Sequence, residues 1–64
     1  MKVDLKKLEI AQAEKGLDNQ MLCEAANISM TTLIRIKSSK INSRVVTVGK
    51  LAKALGVGVK ELVI

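Results

Sequence analysis

The side chains best suited to recognising another molecule lie between Ser29 and Arg44. Thr31 and Arg35 stand one helical turn apart, flanked by Met30, Thr32, Ile34 and Ser38. A guanidinium presents a planar fork of donors that fits the acceptor edge of guanine. A threonine offers a hydroxyl to several acceptors and a methyl group to thymine. Met30 and Ile34 could touch a thymine methyl, be partly buried or simply lie exposed. Ser29, Ser38, Lys40, Asn42 and Arg44 carry donors of the kind that hold phosphate oxygens, which only accept. Such a set points to base reading by Thr31, Thr32 and Arg35.

The charge distribution points the same way. The net charge is +5. Residues 1 to 20 hold four lysines and four acids, and residues 21 to 64 hold seven Lys or Arg against Glu24 and Glu61, so the whole excess lies in the second part. No acid occurs from Ala25 to Lys60. A solvated basic surface would explain this, as would a side that faces phosphate. Lys50, Lys53 and Lys60 read as ordinary surface charges.

Other chemistries lack their parts. The chain has one cysteine and no histidine, which excludes a disulfide framework and the usual structural zinc sites. No cofactor or enzymatic activity is expected, because no acid–base or nucleophilic constellation is present. The absence of Phe, Tyr and Trp removes the stacking platforms of most single-strand binders. No apolar run approaches the ~18 residues of a membrane span, and Met1 to Lys7 lack a signal-peptide core. The expectation is a cytoplasmic protein with neither a membrane nor a small-molecule substrate as partner. Cys23 reads as a small core residue.

Positioning those donors requires short capped helices, and 64 residues leave room for one core, so residues 1–64 are taken as one domain. Asp4 is a plausible N-cap for a helix ending before Gly16, with Leu5 and Leu8 inward and Ala11 and Gln12 following. Asp18 opens a second helix, Asn19 to Ala26, with Leu22, Cys23 and Ala26 inward. Asn27 suits the left-handed residue that ends it. Ser29 caps a third helix, Met30 to about Ser38, whose core pair is Leu33 and Ile36. A fourth runs from about Val45 to Leu55, with Val45, Val48, Leu51, Ala52 and Leu55 as its stripe. Gly49 within it suggests close packing. Gly58 opens a last short helix, Val59 to Val63. Ile10 points away from the inner face, as tolerated exposure or a partner contact. The result is an all-α, five-helix fold in which the second and third helices form a helix-turn-helix.

At this point the sequence resembles a known family. Gly16-Leu17-Asp18-Asn19-Gln20-Met21-Leu22-Cys23-Glu24-Ala25-Ala26-Asn27-Ile28-Ser29, followed by Thr32-Leu33-Ile34-Arg35-Ile36, is similar to the helix-turn-helix domains of phage repressors and Cro proteins, the XRE type. Thr47 to Val57 resembles that family's fourth helix, and Glu61-Leu62 its fifth. The resemblance implies a transcription regulator, from a phage or other mobile element, that binds a double-stranded DNA operator, usually as a homodimer. By position, Asn19 falls where the family has a residue touching the DNA backbone and supporting the recognition helix, here residues 29–38. Met30, Thr31 and Arg35 fall on base-reading positions, and Lys40, Asn42 and Arg44 in the loop that meets phosphate. The sequence departs from the family at Gln12 and Lys37, where an Arg–Glu pair is common; Lys37 could lie near Glu9 or Glu14. The length suits a small regulator or the N-terminal part of a longer repressor. Two rivals remain: an antitoxin-like or other protein-interaction module on the same fold, and a basic peptide of the membrane surface.

Overall fold

A computed structural model describes residues 1–38 and 42–64. The order is α1 (Leu5–Lys15), α2 (Asn19–Ala26), α3 (Met30–Ser38), α4 (Val45–Leu55) and one turn of 3-10 helix, Val59–Glu61. The fifth helix expected over Val59 to Val63 is therefore only this turn. Val63 leaves it to pair with Val3 in an antiparallel bridge. Asp4 N–H donates to Leu62 O at 2.7 Å and Ile64 N–H to Lys2 O at 3.1 Å. Extended residues at both ends of the chain thus satisfy each other, which stops the helix short. Among the described residues no helix is long and apolar enough to cross a membrane.

Local chemistry sets the helix ends. Asp4 Oδ1 accepts from Lys7 N–H at 3.2 Å, and Asp18 Oδ1 from Met21 N–H at 2.8 Å. Ser29 Oγ accepts from Thr32 N–H at 3.1 Å. Each satisfies a first-turn donor that the helix itself leaves unpaired. Three helices then end in one way. Gly16, Asn27 and Gly56 take left-handed φ values of 68°, 56° and 67°. The next residue, Leu17, Ile28 or Val57, donates its N–H back to Gln12, Cys23 or Ala52 at 3.0 Å in every case. All three of these apolar residues pack on the core, as this type of helix end requires.

The core joins Leu8 and Ala11 of α1, Leu22, Cys23 and Ala26 of α2, Leu33 of α3, and Leu51, Ala52 and Leu55 of α4 with Leu62. Ile36 and Val59 pack against it from half-buried positions, and Val48 is fully buried. Two expected core residues are outside it. Leu5 is 41% exposed and Val45 69% exposed. Each is the first residue of its helix, so its side chain lies beyond the neighbours that cover the rest of the stripe. Gly49 also needs a different account, since a Cβ built there meets nothing within 4 Å. Close packing is not its reason. Ile10 is exposed, and so is Ile64 at 77%.

Candidate nucleic-acid interface

Burial of Leu33 fixes the rotation of α3. With Leu33 fully buried and Ile36 against the core, Thr31, Ile34, Arg35 and Ser38 face outward. Met30 is exposed at the start of the helix, and Thr32 is half-buried. Thr32 is also tied to the cap, because its Oγ1 and Ser29 Oγ lie 2.8 Å apart. When Thr32 donates in this pair, the Ser29 O–H is left for an outside acceptor. Ser38 donates its O–H to Ile34 O at 2.7 Å. A hydroxyl has a single proton to donate, so Ser38 would have to release that bond to donate to a phosphate.

A groove of about 310 Å³ separates α3 from the start of α4. Thr32 and Arg35 line it from α3, and Asn42, Arg44 and Thr47 from the other side. Candidates for base contact and for backbone contact therefore meet along one surface. Arg44 is the N-cap of α4, and its side chain makes no capping hydrogen bond. The guanidinium is therefore not used to close its own helix. The helix begins there with the partial positive charge of its unpaired N–H groups. Lys40, another backbone candidate, lies outside the described residues. Thr47 was not singled out from the sequence. Its position one turn after Arg44 on α4 was the available signal.

Asn19 sits away from this groove, at the first position of α2. Its Oδ1 accepts from Lys37 Nζ at 2.7 Å and from Gln12 Nε2 at 3.2 Å. Gln12 Nε2 also donates to Leu17 O at 3.2 Å. The partner of Lys37, which the sequence left open with Glu9 and Glu14 as candidates, is thus Asn19. Gln12 is 6% exposed, and its Oε1 is buried without a donor among the described residues. The amide orientation nevertheless follows from its nitrogen, which faces two acceptors.

The nearby thiol is enclosed by the same packing. Cys23 is buried, and desolvation pushes its pKa above the ordinary thiol value; the Glu24 carboxylate adds to this and the Lys37 ammonium opposes it. The site therefore offers hydrogen-bond donors, positive charge and a few apolar contacts.

Comparison with known proteins agrees with this architecture. The family model described as Helix-turn-helix matches residues 6–62. No match was found among curated proteins. The chain is similar in structure to the restriction-modification controller protein C.AhdI from Aeromonas hydrophila, with a TM-score of 0.78 and 23% identity over 89% of this chain and 86% of that one. At that identity the likeness speaks for the fold. The family match covers α2, α3, α4 and all but the first residue of α1, and the chain belongs to the XRE-type helix-turn-helix family.

Proposed function

We propose that residues 1–64 act as a sequence-specific binder of double-stranded operator DNA, in a small transcriptional regulator of the repressor or Cro type. In this reading α3 enters the major groove. Met30, Thr31, Thr32 and Arg35 read base edges, and Asn19, Ser29, Ser38, Asn42, Arg44 and Lys40 hold the backbone. The observation that carries it is the outward arc of α3 joined by the α3–α4 groove, which Arg35 and Arg44 both line. This surface belongs to the acid-free stretch from Ala25 to Lys60, so no carboxylate from that stretch repels phosphate. Membership of the helix-turn-helix family supports the reading, as does the similar controller protein. A homodimer on DNA completes it, since one short helix reads few base pairs and paired half-sites lie about one turn apart.

Selection of duplexes from a random-sequence pool, followed by titration at several salt concentrations, tests this. The expected log–log slope corresponds to on the order of four to eight phosphates per dimer. Failure to enrich any sequence, together with a flat salt response, would remove DNA as the partner. A stable complex with a separate protein would then favour the interaction-module reading.

A further inference from the structure

We infer that Lys37 and Gln12 are positioning residues that clamp the Asn19 carbonyl and leave its amide N–H groups to donate to a DNA phosphate. The inference deepens the proposed function and rests on it. An amide oxygen has two acceptor sites, and here α1 fills one through Gln12 and α3 the other through Lys37. Turning the Asn19 amide over would set its NH2 against an ammonium and another NH2. Three donor groups would then meet with no acceptor between them, so the orientation is fixed by the chemistry of its neighbours. What remains free in type is Nδ2, which only donates, while a phosphate oxygen only accepts. Asn19 is exposed and opens α2, where the helix adds positive potential. The Lys37 charge on Oδ1 also polarises the amide and makes Nδ2–H a stronger donor. Lys37 itself is half-buried with its ammonium turned to Asn19, so its effect on DNA passes through that side chain.

A double-mutant cycle reads this directly, using the duplex that the unmodified protein selects and thermal melts to confirm folding. Lys37→Met should weaken binding about threefold to tenfold when Asn19 is present, and by a clearly smaller factor in the Asn19→Ala background. Lys37→Arg, which keeps a donor for Oδ1, should restore most of the loss. Equal losses in both backgrounds would mean that Lys37 meets phosphate by itself, and would overturn the positioning role alone. A protein that selects no duplex overturns both this role and the DNA reading. In the free protein, 15N relaxation of the Asn19 side-chain amide should give an order parameter near the rigid-backbone value of about 0.85; a value below about 0.6 would refute the clamp whether or not any variant folds.

Discussion

Replacing Arg35 and Arg44 separately by alanine distinguishes reading from holding. The two line the same groove, both side chains are exposed, and neither supports the core. Their truncation should leave the melting temperature nearly unchanged, as for most surface substitutions. The effects on DNA should diverge. Arg35 stands in the middle of the outward arc of α3, one turn after Thr31, where a fork of donors meets base edges. Arg35→Ala should cost about 1–3 kcal/mol per occupied half-site, or roughly 5- to 150-fold, and relax preference at one or two base pairs. Arg44 stands at the N-cap of α4, across the groove, where the DNA backbone would run. Arg44→Ala should weaken selected and random duplexes by similar factors and lower the salt slope by about one per site. Fluorescence anisotropy with both duplexes at three or more salt concentrations gives all of these quantities. Unchanged base preference in Arg35→Ala on the selected operator would show that α3 is not the reader, and a protein partner would become the better account of the surface.

Other substitutions test the scaffold. Leu33→Ala removes a fully buried side chain that sets the rotation of α3, and should destabilise the fold by about 2–5 kcal/mol in urea unfolding; a loss below 1 kcal/mol, on the same rough scale, would place Leu33 outside the core. Gly49→Ala should stabilise by up to about 1 kcal/mol, because open space surrounds the position and alanine is the better helix former; a lower melting temperature would contradict that account. Cys23 retains its proton longer in the folded chain than in the unfolded one. Its stabilising contribution is therefore complete below the ordinary thiol pKa of about 8.5 and declines as pH rises through the higher folded value. Cys23→Ala should flatten the alkaline part of the stability–pH curve, and identical curves above about pH 8.5 would show that the thiol is not the cause.

The features legible in the sequence are those that a few neighbouring residues decide. Asp4, Asp18 and Ser29 start helices, and Gly16, Asn27 and Gly56 end them, through contacts within one turn. Helical spacing likewise placed Leu33 inward and Arg35 outward. It failed at Leu5 and Val45, because periodicity gives the direction of a side chain but not how far the covering helices extend. It failed again after Gly58, where pairing with the distant residues Lys2 to Asp4 decides the backbone.

The polar junction of α1, α2 and α3 was the least legible part, although its residues had been noticed as departures from the family. In place of the ion pair that an arginine and a glutamate form, Gln12 Nε2 and Lys37 Nζ both act as donors here. Their shared need for an acceptor brings them to Asn19 Oδ1, 18 residues from Lys37 and seven from Gln12. No local rule selects that meeting point, which depends on how three helices converge. It also changes what the junction does. An ion pair between α1 and α3 would be a strut confined to the scaffold. Two donors on one carbonyl instead route the tie through the first residue of α2, whose remaining amide protons lie at the exposed end of that helix. The packing that sets the angle of α3 and the donor offered to phosphate then become one hydrogen-bonded unit, so a change at half-buried Lys37 should be felt at the DNA backbone.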